Sequence, residues 1–374
     1  MDMKNLHWTA VAKIVGLGAC LLMAAGAVFV WSGVYNVAAS KDHLRITTWI
    51  LTLIRERSIA TRSFMIDAPP LVDDGMIRLG ASHYEAGCVP CHNRPGKEIN
   101  PIVGGMLPPP PDLMEIGKHR PSREIFWIVK HGLKYTGMPA WTNMRRDDEI
   151  WSVTAFLASL PFTAGEYPDL SGLTRSQANP GEEPVNGGAL TACGRCHERE
   201  GTGTNGDRVP RLAGLPEAYL FRSLQEYADG NRASGVMEPV ADPLDERSMR
   251  ELAARYSALR PSAEKPAAAP DAERLRRGEA IANRGIARQG VPACLSCHSG
   301  RQSQQFPVLA GQHAEYIEEQ IRLWQRGGRI GTPYGRIMAA VAGALEEGQI
   351  EDVAAYLASL PRGSAPAPIA EVNR

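Results

Sequence analysis

The sequence predicts an all-α protein: three small helical units in tandem behind one N-terminal membrane-spanning helix. Three observations predict it. Six of the seven cysteines fall in a pentapeptide that occurs three times. Each copy is followed by the same ordered residues and a closing helix. The N-terminus holds one uncharged apolar run long enough to cross a bilayer. Composition narrows the alternatives. The chain has 374 residues, with 41 basic and 41 acidic side chains and 44% hydrophobic residues. Its length suggests two to four domains, and the charge balance gives no support to nucleic-acid binding. A mean hydropathy of −0.23 excludes a polytopic membrane protein, and near-average usage excludes collagen-like or wholly disordered classes.

The apolar run is Ile14 to Trp31, 18 residues without a charge, with Lys13 able to snorkel at one end. It is read as an anchor, residues 1–31 being a cytoplasmic stub and the span. The other reading is a cleaved signal peptide at the small residues Ala25-Gly26-Ala27, which leaves Val28-Phe29-Val30-Trp31 at an apolar mature end. Cys20 lies inside the run and is read as an unmodified membrane residue. Residues 32–75 form a juxtamembrane segment. Within it, 44–66 carries Leu44, Ile46, Trp49, Ile50, Leu53 and Ile54 beside Arg45, Arg55, Arg57 and Arg62. It is too short to span. It is either a helix lying on the membrane surface or one packed on the first unit or on a partner subunit.

The three pentapeptides are Cys88-Val89-Pro90-Cys91-His92, Cys193-Gly194-Arg195-Cys196-His197 and Cys294-Leu295-Ser296-Cys297-His298. The chemistry that needs Cys-x-x-Cys-His is covalent haem attachment. Two thiols two residues apart reach the two vinyl groups on one porphyrin edge, and the adjacent imidazole lies under the ring to ligate the iron. A zinc site needs a second Cys/His pair at finger-like spacing in each unit, and none has one. A redox dithiol needs no following His and no threefold recurrence. Three haem c groups are therefore expected.

Each pentapeptide is followed by Pro-x-Leu: Pro111-Asp112-Leu113, Pro210-Arg211-Leu212 and Pro307-Val308-Leu309. A methionine in a short irregular stretch follows, at Met138, Met237 and Met338, with Pro-to-Met separations of 27, 27 and 31. A closing helix holds an aromatic at Phe156, Tyr256 and Tyr356. Phe156-Leu157-Ala158-Ser159-Leu160-Pro161 is nearly the string Tyr356-Leu357-Ala358-Ser359-Leu360-Pro361, and the Pro is a helix stop. The first and third units have lead-in helices, around Met76–Ala86 and Ala272–Ile286, containing Gly80 and Gly278. The second has only Gly187-Gly188-Ala189-Leu190 before Cys193, so its lead-in helix is expected to be truncated. Composition sets the boundaries: domain 1 at 76–161, a linker at 162–186, domain 2 at 187–260, a semi-rigid spacer at 261–270, domain 3 at 271–361 and a polar tail at 362–374.

This ordered set resembles class I cytochrome c over about residues 76–361. The second and third units further resemble the two halves of the diheme c-four type cytochromes, through Arg211-Leu212-Ala213-Gly214 and Val308-Leu309-Ala310-Gly311, Tyr219 and Tyr316, and Gly230-Asn231-Arg232 and Gly327-Gly328-Arg329. The first, with its run Pro108 to Pro111 and Phe126-Trp127-Ile128-Val129-Lys130-His131-Gly132, looks like a single-haem module. The resemblance implies that Pro111, Pro210 and Pro307 offer carbonyls to the Nδ1 protons of His92, His197 and His298. It implies that Met138, Met237 and Met338 are the sixth iron ligands. Rival ligands are Met106, Met114, Met144, His119 and His131 in the first unit, Met249 in the second and His313 in the third; any of these methionines is otherwise core filler.

The expected function follows. Three His/Met-ligated haems on a membrane anchor make an electron relay between a quinol-oxidising or dehydrogenase complex and a terminal acceptor such as an oxidase or a soluble cytochrome. The chain then serves as a cytochrome subunit and not an enzyme in itself; no paired carboxylates or nucleophile–base motif stands out. Cytochromes of this kind are assembled outside the bacterial cytoplasmic membrane, so residues 32–374 are expected in the periplasm. The alternatives are a peroxidase-like haem enzyme with one open iron site, and a module without haem.

Overall fold

A computed structural model describes residues 3–160, 162–174, 188–203, 206–261, 271–300 and 303–362. Among the described residues the chain is all-α. Helix α1 (Met3–Ser32) contains, from Trp8 to Ser32, the one stretch among the described residues long and apolar enough to cross a membrane. That stretch has no buried residue, and Leu22, Val30 and Trp31 are strongly exposed.

Helix α2 (Arg45–Ser63) divides along its length. Its C-terminal part buries Ile59 and Ser63 against the first unit, and Glu56 receives the Arg120 guanidinium at 2.7 Å. Its N-terminal part leaves Leu44, Ile46, Trp49 and Ile54 exposed. The C-terminal part thus matches the reading of a helix packed on the first unit.

The first unit is built on α3 (Asp74–His83), α4 (Ser122–His131) and α5 (Asp147–Ser159). Asp73 caps α3 by accepting the Met76 amide at 2.7 Å, which satisfies an N–H that the helix leaves free. A π-helical turn, Tyr84–Cys88, carries α3 on into Val89–His92, so the first pentapeptide closes the lead-in helix. The core holds Tyr84, Phe126, Ile150, Val153 and Phe156, with the Phe126 and Trp151 rings stacked at 4.1 Å. Each large side chain buried this fully contributes roughly 1.5–3 kcal/mol. Residues 162–174 differ from the expected linker. They fold back as α6 (Tyr167–Leu170), with Tyr167 and Leu170 in the first core and the Tyr167 hydroxyl donating to buried Glu85 at 2.7 Å. Two apolar anchors outweigh a Pro- and Gly-rich composition there. Residues 175–186 of that linker, and 262–270 of the spacer, lie outside the described residues.

The second unit comprises α7 (Ala189–His197), α8 (Glu217–Ala228), α9 (Met237–Ala241) and α10 (Glu246–Ala258). Its core is smaller, built on Leu190, Leu215, Leu220, Leu252 and Tyr256. The third comprises α11 (Ala272–Arg284), α12 (Ala314–Gln325), α13 (Pro333–Gly343) and α14 (Glu347–Ser359).

The units pack on one another. Between the second and third, the Arg211 amide donates to Gln312 at 2.9 Å and the Gln312 amide returns a bond to the Arg211 carbonyl at 3.0 Å. Arg208 touches all three units, with Asp73 at 3.2 Å, Glu315 at 3.4 Å and Glu319 at 3.5 Å.

Candidate haem-binding sites

The first two pentapeptides close a helix and the third forms a separate single turn, Leu295–His298, so that each pair of cysteines shares one helical turn with the histidine at its end. In each unit the histidine Nδ1–H donates to the proline carbonyl that the sequence marks. His92 reaches Pro111 at 3.2 Å, His197 reaches Pro210 at 3.0 Å and His298 reaches Pro307 at 2.9 Å. Burial pushes all three imidazoles below the ordinary histidine value, against the raising effect of the proline carbonyl. At neutral pH each ring is neutral, with Nδ1 committed to the carbonyl and Nε2 carrying the lone pair that a metal requires.

The thiols are equally informative. Burial raises Cys88 to about 12, and Cys193 and Cys294 to about 11. These are protonated thiols in apolar surroundings, not the activated thiolates of a redox or catalytic site. None of the seven cysteines is in a disulfide. Among the described residues, no group of three or more His, Cys, Asp or Glu side chains could cage a metal ion. Each unit instead presents two thiols and one imidazole whose Nδ1 is held by a carbonyl, a donor set that fits a covalently attached porphyrin iron.

One continuous cavity of about 350 Å³ serves the second and third units together. Cys193, Cys196, His197, Pro210 and Met237 line one part, and Cys294, Cys297, His298, Pro307 and Met338 the other. Leu212, Leu252, Leu309, Val353 and Leu357 supply an apolar wall, as a porphyrin face requires. Arg232 and Arg329 also line it. Arg232 is buried, donating to Ser223 at 2.9 Å, and Arg329 lies 4.1 Å over the Trp324 ring. Two guanidinium groups facing an apolar cavity suit a ligand with carboxylates, and haem carries two.

In the first unit, Met138 and Cys88 pack against the same core. Met138 lies in a loop, where its amide donates to Thr136 at 3.1 Å and its carbonyl accepts the Leu133 amide at 3.1 Å. A smaller cavity, of about 210 Å³, lies on the His92–Pro111 side and is lined by Tyr84, Leu113, Met114 and Leu160.

Two of the three methionines differ from their expected settings. Met237 opens α9 and Met338 lies inside α13 rather than in irregular chain. Thr332 caps α13 by accepting the Gly335 amide at 3.0 Å, and Pro333 occupies its first turn. Of the rival ligands, His119, His131 and Met144 are exposed and Met249 is in the second unit's buried set. His313 is buried and joins two units, hydrogen-bonded to the Gly203 carbonyl at 2.9 Å and paired with Asp207 at 2.9 Å. Met106 packs against the Met138 loop: a Cβ on Gly137 would fall 2.1 Å from the Met106 methyl.

Sequence reasoning passed over several residues of the sites. Arg232 and Arg329 were visible as matching Gly-x-Arg elements of two repeats. Ser82, His83, Arg146 and Glu149 belong to the first unit yet line the cavity of the second, and no spacing rule marks such a contribution.

Comparison with known proteins agrees with this geometry. The family described as cytochrome c oxidase, cbb3-type, subunit III matches residues 75–157, within the first unit. A thiosulfate dehydrogenase electron acceptor of Thiomonas intermedia (strain K12) is 42% identical over 173 residues, 46% of this chain and 79% of that protein. A second such acceptor, from Stutzerimonas stutzeri (strain A1501), is 30% identical over 56% of this chain and 92% of its own length. Cytochrome c4 of Stutzerimonas stutzeri is 32% identical over 50% of this chain and 94% of its own.

Proposed function

The chain belongs to the cytochrome c family as a multihaem electron carrier homologous to cytochrome c4 and to the thiosulfate dehydrogenase electron acceptors, and from that premise we propose that it is a membrane-anchored, periplasmic, triheme relay. It takes electrons from a dehydrogenase, with a thiosulfate dehydrogenase as first candidate, and delivers them to an oxidase. The observation that carries this reading is the threefold His-to-Pro-carbonyl hydrogen bond, at 3.2, 3.0 and 2.9 Å, beside three Cys-x-x-Cys pairs.

Cys88 and Cys91, Cys193 and Cys196, and Cys294 and Cys297 hold the three haems, which supply reversible one-electron chemistry when bound. His92, His197 and His298, with Met138, Met237 and Met338, would supply the iron ligands of these haems. Pro111, Pro210 and Pro307 orient the imidazoles and raise their basicity. Thioether ligands favour ferrous iron and raise the potential. Helix α1 keeps the carrier at the membrane, and the exposed apolar end of α2 lies against the same surface.

The test has two parts. Haem quantification of the purified full chain should give three covalent haems per polypeptide. Anaerobic mixing with thiosulfate and a thiosulfate dehydrogenase should reduce all three. Two haems per chain, or no reduction beyond that in the absence of the dehydrogenase, overturns the corresponding part.

A further inference from the structure

The turn that leads into Met237 at the start of α9 is gripped by the first unit. Glu149, in the first turn of α5, is 3% exposed. Its carboxylate accepts the Ser234 hydroxyl at 2.7 Å, the Gly235 amide at 2.6 Å and the Trp141 indole N–H at 3.2 Å. Arg146 pairs with Glu149 at 2.8 Å and donates to the Ala233 carbonyl at 2.9 Å. Asn143 donates to Glu238 at 2.7 Å. These bonds converge on residues 233–238. Within the turn, the Ser234 hydroxyl oxygen accepts the Met237 amide at 3.0 Å, so two hydrogen bonds link Glu149 to the Met237 backbone. The approach is close enough that a Cβ on Gly235 would fall 2.0 Å from the Trp141 indole nitrogen.

Among the described residues the second unit's first helix begins at Ala189, and the first unit contributes to that side of its cavity. Leu79, Ser82, His83 and Ala86 contribute to the wall, and Ser82 hydrogen-bonds the Cys196 thiol. A buried carboxylate that accepts several N–H and O–H groups makes charge-assisted bonds. Removing it leaves those donors unsatisfied, while Arg146 keeps the Asp148 carboxylate at 2.7 Å.

We propose that Glu149, with Arg146, is a positioning residue for the neighbouring unit's haem: it fixes the turn into α9 so that Met237 stays on the second iron. This rests on Met237 being that iron's ligand. The first unit thereby governs the ligation, and hence the potential, of a haem it does not itself carry.

The experiment uses the full holo-chain. Glu149→Leu should lose about one third of the ferric methionine–haem charge-transfer absorption, one haem in three, and lower one of three midpoint potentials. Glu149→Gln keeps an acceptor oxygen and should retain the band. Met237→Ala separates the two layers of the argument. If it leaves the band whole, the ligand reading falls and the clamp with it. If it removes a third while Glu149→Leu, with three haems and native helicity, keeps the full band, the clamp alone is wrong. Should Glu149→Leu fail to fold, Ser234→Ala decides, because it leaves Glu149 its Arg146 and Gly235 partners. Displacement of methionine by added imidazole should then be about tenfold faster at one haem; unchanged displacement overturns the proposal.

Discussion

Gly80 of α3 lies against the main chain of Ser152 in α5, so closely that a Cβ on Gly80 would stand 1.9 Å from the Ser152 carbonyl oxygen. The third unit repeats the crossing, with Gly278 of α11 placed so that a Cβ would be 2.0 Å from the Asp352 carbonyl oxygen. Backbone meets backbone at both, so no side chain can rotate away. Gly80→Ala and Gly278→Ala should each destabilise their own unit by about 3 kcal/mol, from forced separation of the two helices. Gly343→Ala, at a helical position with nothing within 4 Å, should be neutral or stabilising by up to about 1 kcal/mol. Denaturant midpoints of the three variants check the contrast, and equal midpoints would refute it.

These two glycines were legible in the sequence because helix crossing demands a small residue at a fixed place in a lead-in helix. The attachment sites were legible for a similar reason: thiols and imidazole must be adjacent along one helical turn. Contacts between units were not. Glu149 and Ser234 are 85 residues apart, and Asp147-Asp148-Glu149 reads as an ordinary acidic first turn that complements a helix dipole. The helical setting of Met338 did carry a signal, since Thr332-Pro333 is a cap followed by a proline. Tyr167 and Leu170 were obscured by their Pro- and Gly-rich surroundings.

The first unit should lose stability on acidification through Glu85. Burial raises this carboxyl, but Arg94 at 2.7 Å and the Tyr167 hydroxyl outweigh it, and the net direction is below the ordinary glutamate value. A depressed carboxyl contributes stability that is complete above its unfolded value, and that contribution is lost as pH falls through the folded one. Stability measured from neutral pH down to the acid side of the usual carboxylate range should fall. In Glu85→Gln the fall should be shallower, since the charge that drives it is gone. Parallel profiles for the two proteins would show that Glu85 contributes nothing to the acid response.

Asn93 and Glu198 each follow a haem-site histidine and hold positive φ, 57° and 60°, with ψ of 171° and 159°. That region is occupied almost only by glycine. Tyrosine hydroxyls hold both carbonyls in place, Tyr84 on Asn93 at 2.7 Å and Tyr256 on Glu198 at 3.2 Å. Asn93→Gly should therefore stabilise the first unit by about 1 kcal/mol, and Tyr84→Phe should weaken it by about the same, as a net hydrogen bond does. Thermal unfolding of the two variants measures both, and destabilisation by Asn93→Gly would contradict the strain argument.

Met138, proposed as the first haem's ligand, has a rival candidate beside it, since the Met106 methyl packs against the residue preceding Met138. The Met138 loop is the better ordered by hydrogen bonds, with the Thr136 hydroxyl oxygen receiving the Met138 amide and the hydroxyl itself donating to the Leu133 carbonyl at 2.7 Å. A ligand held on both sides loses less freedom on binding the iron, which favours Met138. Met138→Ala should convert one of the three haems to high spin, remove about a third of the ferric methionine charge-transfer absorption and lower one midpoint potential. Met106→Leu, which keeps the apolar volume, should leave the spectrum and all three potentials in place. If Met106→Leu instead abolishes a third of the band while Met138→Ala does not, the ligand is Met106, and the Pro-to-Met spacing shared by the first two units is coincidental.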